Sequence, residues 1–317
     1  MSNVAGYDLI GDIHGHADEL LRLLIKLGYT KEDGVFRHSE RQAIFLGDFI
    51  DRGPKIREVL ETVFPMVQAG FARAVLGNHE FNALAFHTFI NGVEEQSLRP
   101  RTLKNIRQHA ATIQQLTDSQ LSNALDWFRT LPLWLEVLGP DDSRCRAVHA
   151  CWDDIQIAQV MQMEEKYGGV NKEFLVAAMD KEDPLFSAVE VLLKGKELPL
   201  PEGFFYTDKD GHERNAIRAR WFEMPTRGML YQDYVLQADP IDCPIEIDLA
   251  LCDGISAYPF ESAPVFVGHY WLRADRPRRL ATNVACLDYS VARSGFLCAY
   301  SWDGETQIDE SKFRWAA

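Results

Sequence analysis

Three short segments near the N-terminus each place potential metal ligands directly after a run of apolar residues. They are residues 11–15 (GDIHG), 47–53 (GDFIDRG) and 77–80 (GNHE). Taken alone, the charged loop at 47–53 is typical of an ordinary loop with a local salt bridge. Three such motifs in this order are hard to obtain by chance. The sequence therefore predicts that loops at the ends of several strands form one polar site.

Six polar side chains are candidates for binding metal ions. Two carboxylates, one amide and three imidazoles make a mixed oxygen and nitrogen set, which suits divalent ions such as manganese, iron or zinc. A central aspartate can give one oxygen to each of two ions. If Asp48 does so, Asp12 and His14 complete one ion site, and the other three side chains complete the second. The six candidates are Asp12, His14, Asp48, Asn78, His149 and His269.

Hydrolysis of a phosphate ester or anhydride is the chemistry that such a site favours. Two neighbouring divalent ions lower the pKa of a bound water and hold both oxygens of an in-line phosphoryl displacement. The leaving alkoxide then needs a proton, which His79, next to Asn78, is placed to donate. Asp51 would orient that imidazole, and Arg52 would offer a planar guanidinium to the phosphate oxygens. His79, Asp51 and Arg52 are therefore the predicted catalytic residues.

The elements around these motifs alternate between strand and helix. Apolar residues recur at helical spacing over residues 17–27, and a second helix is expected from Pro54 to about Ala69. This alternation predicts a parallel sheet that carries the three loops at its carboxyl edge. The other expected elements are a mainly helical stretch at 80–129, a hairpin of 133–138 and 145–148, helices within 155–194, a loop at 195–203, a turn at 208–211, and strands at 264–267, 283–288 and 296–302.

Composition narrows the class of protein. The 317 residues suffice for one or two domains, and 46% hydrophobic residues is typical of a globular core. A formal charge of -14 disfavours nucleic-acid binding, which normally requires a basic surface. The six cysteines form no C-x-x-C pair, so we expect them to be reduced and buried. No apolar run is long enough to span a membrane, and a soluble cytoplasmic protein is expected.

The ordered motifs resemble those of the calcineurin-like metallophosphoesterases. The closest resemblance is to the branch that contains phosphoprotein phosphatases and symmetrical bis(5'-nucleosyl)-tetraphosphatases, in its bacterial form. Together the motifs extend over most of the chain, and as an ordered set they are specific. The residues that carry the resemblance are GDIHG at 11–15, GDFIDRG at 47–53, GNHE at 77–80, VHA at 148–150 and GH at 268–269.

The resemblance implies an α/β fold in which two mixed β-sheets pack together and are flanked by helices, with helical insertions. One catalytic domain would then cover residues 1–317, with a cap or insertion at 155–240. This implied fold replaces the single parallel sheet.

The resemblance also implies a role for each site residue. Asp12 and His14 match ligands of the first metal, Asp48 the bridge, and the other three candidates ligands of the second. His79 matches the proton donor, with Asp51 as its partner. Two divalent ions are the implied cofactors, with manganese preferred over iron or zinc. The implied substrate-binding residues are Arg52, Asn78 and Arg220, with Arg218 as an alternative to Arg220 in the segment IRARW at 217–221.

Some positions depart from the family pattern. His16 stands where eukaryotic-type protein phosphatases usually have Gln, and Leu76 where they have Arg. Glu80 stands where the bacterial nucleotide hydrolases generally have Asp. A eukaryotic-style protein phosphatase is therefore disfavoured.

Several substrates stay open. A phosphatase acting on a phosphomonoester or a phosphoprotein is the first expectation. A symmetrical dinucleoside tetraphosphate hydrolase and a non-catalytic metal-binding regulatory protein are the alternatives. The substrate would thus be a phosphorylated small molecule, a nucleotide or a phosphoprotein, with no membrane or nucleic-acid partner. Four histidines outside the motifs are expected to lie at the surface or to serve packing: His38, His87, His109 and His212. Trp221 and Trp271 could line the pocket, but a tryptophan more often serves packing.

Overall fold

A computed structural model describes residues 4–90, 96–207, 211, 213–236, 241–252, 255 and 257–317. Of the turn expected at 208–211, only Gly211 lies within these residues, and His212 lies outside them. The helices of this part of the chain are α1 (Ala17–Lys26), α2 (Ile56–Gln68), α3 (Asn78–His87), α4 (Leu103–Gln115), α5 (Asp118–Phe128), α6 (Asp154–Tyr167), α7 (Lys172–Met179), α8 (Pro184–Lys194) and α9 (Tyr231–Tyr234).

The strands of the described residues form two main sheets and three two-stranded ribbons. In chain order they are β1 (Gly6–Ile10), β2 (Thr30–Glu32), β3 (Val35–Arg37), β4 (Arg41–Phe45), β5 (Ala72–Ala74), β6 (Trp134–Leu138), β7 (Arg144–Val148), β8 (Glu197–Pro199), β9 (Tyr206–Thr207), β10 (Glu213–Arg214), β11 (Ala216–Arg218), β12 (Val265–Val267), β13 (Val284–Cys286), β14 (Asp288–Tyr289), β15 (Phe296–Trp302) and β16 (Phe313–Ala316).

Both main sheets are mixed. The first has the order β14-β15-β1-β4-β5, with β16 also paired to β15. In it β1, β4 and β5 are parallel, whereas β15 runs antiparallel to β1. The second sheet has the order β13-β12-β7-β6, in which only β6 is antiparallel to its neighbour. The two mixed sheets are thus confirmed. The single parallel sheet is wrong, because local alternation reveals β1, β4 and β5 but not their pairing with the distant β15.

The two sheets pack face to face, and period-two alternation along each strand explains how. Tyr7 and Leu9 of β1 point into the core between the sheets, where they meet residues such as Phe266 of the second sheet. Ile10 points to the other face and packs in the core that contains Leu20 of α1. Strand β1 is therefore buried on both sides, which fixes its carboxyl end and the loop that follows it.

Most of the helices and strands predicted from local sequence patterns are confirmed. The first helix, the hairpin and the three late strands are present with small shifts of their ends. The helix expected from Pro54 begins instead at Ile56, because the amide of Lys55 donates to the carbonyl of Gly15 (2.9 Å) and is drawn into the loop packing. The loop expected at 195–203 contains β8, which pairs with β11.

Two further expectations concern cysteines and membranes. All six cysteines are buried and free, as expected for residues without a redox or metal role. Within the residues described, no helix combines the length and the apolar character needed to cross a membrane.

Candidate active site

Parallel pairing brings the predicted loops together. Because β1, β4 and β5 are parallel neighbours, the segments that follow them emerge at one sheet edge. In the second sheet β7 and β12 are also parallel, and the residues after them include His149 and His269. The six predicted metal ligands therefore meet in one buried cluster, with relative exposures of 7% or less.

Asp48 lies at the centre of this cluster. Its Oδ2 is 3.4 Å from His14 Nε2, and its Oδ1 is 3.5 Å from His149 Nε2. The two carboxylate oxygens thus face different imidazoles, which is the arrangement that a bridging carboxylate requires. Two groups of side chains close enough to hold an ion share Asp48: one adds Asp12 and His149, the other His14 and His79. The second group includes His79, which the sequence predicts to be the proton donor.

Asn78 links the remaining two histidines. Its Oδ1 is 3.0 Å from His149 Nε2 and 2.8 Å from His269 Nδ1. The backbone amide of His269 in turn donates to Asp12 Oδ2 at 3.0 Å. These contacts join residues that are up to 257 positions apart in the chain.

Backbone carbonyls select the tautomer of two of the imidazoles. His14 Nδ1 lies 3.0 Å from the carbonyl oxygen of Ile50, and His149 Nδ1 lies 2.7 Å from that of Leu46. A carbonyl only accepts, so each Nδ1 carries the proton and each Nε2 is directed toward Asp48. Metal-binding histidines commonly show this second contact, which fixes ring orientation.

Three buried atoms without partners test whether the cluster fits metal ions. Asp12 Oδ1, His14 Nε2 and His269 Nε2 are buried, and each lacks a hydrogen-bond partner among the described residues. Buried polar atoms are nearly always paired, so three orphaned atoms on three predicted ligands fit a site that binds cations. The cluster fits divalent metal ions in donor type and geometry.

The electrostatics of the cluster agree with this fit. Burial lowers the pKa of His14, and burial followed by the charge of Arg218 lowers that of His269, so both imidazoles stay neutral as metal binding requires. Burial and then the charge of Asp288 raise the pKa of Asp12. A bound cation would offset the repulsion between Asp12 and Asp288.

Asp48 and His149 form the charged pair of the cluster. Burial acts to raise the pKa of Asp48, but His149 and then His79 lower it well below its usual range. Burial likewise acts to lower the pKa of His149, yet the carboxylate of Asp48 raises it to about 10. A positive charge next to Asp48 is therefore favoured strongly enough to overcome burial.

The predicted proton donor has its predicted partner. His79 Nδ1 lies 2.6 Å from Asp51 Oδ2, and both side chains are buried. On the other side, His79 Nε2 lies 3.4 Å from Arg52 Nη2 and 3.5 Å from Gln108 Nε2. The ring is thus held by a carboxylate at one nitrogen while the other nitrogen faces the predicted phosphate-binding arginine.

Two residues of this site escaped sequence reasoning. His109, expected to lie at the surface or to serve packing, places its Nδ1 2.8 Å from Asp51 Oδ1. Thr112 donates to the same oxygen at 2.5 Å. Neither residue belongs to a motif, and the packing of α4 against the Asp51 loop cannot be read from local spacing.

Arg52 and Trp271 form a stacked pair. The guanidinium carbon of Arg52 lies 4.4 Å from the centre of the Trp271 ring, which also stacks on His14 at 5.4 Å. Trp271 therefore lines the site, where the sequence favoured packing. A cation over an indole face gains about 0.5–2 kcal/mol. The indole thus fixes the direction in which Arg52 points.

The loops carry backbone strain. Left-handed φ values, uncommon for residues other than glycine, occur at site residues that include Asp48 (52°), Asp51 (67°) and Arg52 (69°). Glu80 stabilises this loop, since its carboxylate accepts from the amides of Asp48 (2.8 Å) and of three further residues, 49, 50 and 77. Strain held by neighbouring contacts is typical of functional sites.

The two candidate arginines of β11 and the following loop differ in their surroundings. Arg220 forms two hydrogen bonds of 3.0 Å to the carboxylate of Glu223. Arg218 has a buried Nε with no partner among the described residues, and its charge acts on His269. Of the two, Arg218 is thus the arginine whose charge influences the cluster.

The chain is similar in sequence to known proteins. The sequence model of the calcineurin-like phosphoesterase family matches residues 7–187. A Bacillus velezensis protein named bis(5'-nucleosyl)-tetraphosphatase PrpE [asymmetrical] is 50% identical over 74 residues, which are 23% of this chain and 30% of that protein. A symmetrical bis(5'-nucleosyl)-tetraphosphatase of Hamiltonella defensa is 30% identical over 61% of this chain and 53% of its own length. The chain thus matches between about a third and about half of these relatives.

Among solved structures, a cold-active protein-tyrosine phosphatase of a psychrophilic Shewanella species aligns with a TM-score of 0.48 at 16% identity. The alignment covers 99% of this chain and 81% of that one.

Proposed function

Because the chain belongs to the calcineurin-like phosphoesterase family, we propose that it is a metal-dependent hydrolase of phosphate esters or anhydrides. The observation that carries this proposal is the His79–Asp51 pair at 2.6 Å, placed beside the metal-ligand cluster and Arg52. A protein that only binds metal needs no oriented proton donor. The pair therefore favours an enzyme over a regulatory metal-binding protein.

Two divalent ions are the proposed cofactors, manganese first and iron or zinc as alternatives, since mixed oxygen and nitrogen donors suit all three. When bound, such ions supply an activated water and neutralise phosphate charge. Asp48 would be shared between the ions. The proposed ligands are Asp12, His14, Asp48, Asn78, His149 and His269.

The protein side chains would divide the remaining work. Arg52, held by Trp271, would bind phosphate oxygens through its planar guanidinium. His79 would give the proton at Nε2 to the leaving oxygen while Asp51 holds Nδ1. As the second phosphate-binding arginine we propose Arg218 in preference to Arg220, whose guanidinium is occupied by Glu223.

We also propose one catalytic domain over residues 1–317 with an accessory part inside the expected 155–240 insertion. Helices α6 to α8 contribute to the main core, for example through Leu185 and Leu192 of α8. Residues such as Leu198, Ile217 and Tyr234 instead form a separate small core. These separate clusters support an accessory part that begins near Leu198.

Two substrate classes follow. A phosphomonoester or phosphoprotein is the first, since the proposed metal ligands, Arg52 and His79 would together bind one phosphate. A dinucleoside tetraphosphate is the second, and it is favoured by the names of the relatives in Bacillus velezensis and Hamiltonella defensa. The substrate would be a small phosphorylated molecule, a nucleotide or a phosphoprotein.

A substrate panel tests the proposal. The protein is stripped of metal, reloaded with manganese, and assayed with p-nitrophenyl phosphate, a phosphoserine peptide and diadenosine tetraphosphate. We expect hydrolysis of at least one. On the phosphoserine peptide, whose leaving group is basic, the His79→Asn variant should lose about 10²- to 10⁴-fold at unchanged metal content. If none of the three substrates were hydrolysed, the proposed function would be refuted.

A further inference from the structure

Helix α4 turns a polar face toward the loop that carries Asp51. Gln115 holds the end of this loop, because its Nε2 donates to the Gly53 carbonyl (2.9 Å) and its Oε1 accepts from the Ile56 amide (2.7 Å). The face belongs to no sequence motif and lies outside the metal-ligand cluster. Its side chains are Gln108, His109, Thr112 and Gln115.

Helix α4 makes three hydrogen-bond contacts with Asp51. His109 Nδ1 lies 2.8 Å from Asp51 Oδ1, and the hydroxyl of Thr112 donates to the same oxygen at 2.5 Å. The Thr112 hydroxyl also accepts from the backbone amide of Asp51 at 3.0 Å. One carboxylate oxygen is therefore fixed by α4, and the other is left for His79.

The hydrogen bonds assign the protons along this chain of side chains. Burial acts to raise the pKa of Asp51, but the hydrogen bonds from His109 and His79 keep it below its usual value. An ionised carboxylate only accepts, so Nδ1 of His109 and Nδ1 of His79 each carry a proton. Nε2 of His109 in turn lies 3.1 Å from Nε2 of His87.

We propose that His109 and Thr112 are positioning residues for acid catalysis, which act by aiming Asp51 at His79. This inference rests on the proposed function. The left-handed backbone of Asp51 (φ 67°) does not by itself stabilise one carboxylate orientation, so contacts from outside the loop have to supply it. His109 and Thr112 are buried, with exposures of 4% and 1%, and provide those contacts.

This arrangement determines which groups give and take protons in the proposed reaction. As water oxygen bonds to phosphorus, the bond to the leaving oxygen breaks and its electron pair stays on that oxygen. The oxygen takes the proton from Nε2 of His79. The attacking water gives up one proton to solvent as its oxygen joins phosphorus, and His79 regains one proton from solvent, so the protons balance. Asp51 keeps its charge throughout, because its pKa is held low, and so it orients His79 without relaying a proton.

Leaving-group dependence separates this role from a merely structural one. Protonation matters for phenyl phosphate, whose leaving group is basic, and little for p-nitrophenyl phosphate, whose leaving group is stable as an anion. We therefore expect the His109→Phe and Thr112→Val variants to lose about 10- to 100-fold in kcat on phenyl phosphate, less than the about 10²- to 10⁴-fold for loss of the acid itself. On p-nitrophenyl phosphate the loss should stay within about threefold, with unchanged metal content.

Two further variants complete the experiment. His109→Asn keeps an N–H donor near the position of Nδ1 and should restore most of the activity on phenyl phosphate. His38→Phe replaces a histidine outside the site, whose Nδ1 accepts from the amides of Glu40 and Arg41 (both 3.1 Å). It should leave kcat on both substrates unchanged. Thr112→Val retains the shape of the side chain, so it tests the inference even if His109→Phe does not fold.

The outcomes distinguish the inference from the function on which it rests. Equal losses on both substrates, or no rescue by His109→Asn, would overturn the positioning role while leaving a phosphoesterase. A wild-type protein that hydrolyses neither of these substrates, nor the phosphoserine peptide, nor diadenosine tetraphosphate, would overturn the proposed function instead.

Discussion

Replacing Gly268 by alanine should remove metal from the site by displacing Asp12. A Cβ at Gly268 would lie 1.9 Å from Asp12 Oδ1, one of the orphaned atoms of the cluster. The carboxylate would have to move by about 1.5 Å to reach ordinary van der Waals contact, whereas metal–ligand distances tolerate only about 0.2 Å. Asp12 is buried, so its carboxylate cannot turn out to solvent. Because Gly268 does not have a positive φ, alanine adds no torsional strain there.

The magnitude follows from the size of this displacement. Changes in groups that merely orient a metal ligand cost about 10- to 100-fold in metal affinity, and displacing the ligand itself should cost at least as much. Manganese binding is measured by calorimetry, and metal content by mass spectrometry after dialysis. We expect one ion per chain to be lost from the Gly268→Ala variant.

Gly203→Ala is the matched control. Gly203 has φ 82° and no atom within 4 Å of an added Cβ, so alanine there costs about 1 kcal/mol of backbone strain without a clash. It should lower the melting temperature slightly and keep both ions. If Gly268→Ala bound two ions with wild-type affinity, the placement of Asp12 in the metal centre would be refuted.

Further variants test other parts of the account. Asp48→Asn should lose metal and turnover together, whereas Arg52→Ala should keep the metal content measured by mass spectrometry and lose turnover. Trp271→Leu should raise KM about 2- to 30-fold, the equivalent of the about 0.5–2 kcal/mol of a cation–π contact, and an unchanged KM would contradict the stacking role. Burial, and then the charges of His109 and Arg101, lower the pKa of His87 from 6.5 to about 4. Between pH 4 and 6.5, His87 therefore binds a proton more readily in the unfolded chain than in the folded one. The free energy of unfolding should therefore fall as pH is lowered from 6.5 to about 4, and less steeply in His87→Phe, which urea unfolding at several pH values measures.

The convergence of the six candidate ligands could be predicted from sequence because each candidate follows a strand closely. Asp12, Asp48 and Asn78 come within a few residues of the ends of β1, β4 and β5, and parallel pairing brings such positions to one edge. Predicting this convergence required no knowledge of side-chain packing. Motif order and strand direction were sufficient.

Other features depend on contacts that local spacing does not encode. The antiparallel pairing of β15 with β1 joins residues nearly 300 positions apart, which is why the parallel sheet was wrong. His109 lies on a helix whose position relative to Asp51 is set by tertiary packing. The choice between Arg218 and Arg220 depends on the neighbouring Glu223, whose side chain occupies Arg220.

A metal titration tests the two-metal account most directly. Metal-free protein is titrated with manganese while hydrolysis of p-nitrophenyl phosphate is followed, with Asp48→Asn in parallel. The account predicts that turnover is absent without metal, rises to a plateau at two ions per chain, and stays absent in Asp48→Asn. Turnover without metal, or a plateau at one ion per chain, would contradict it.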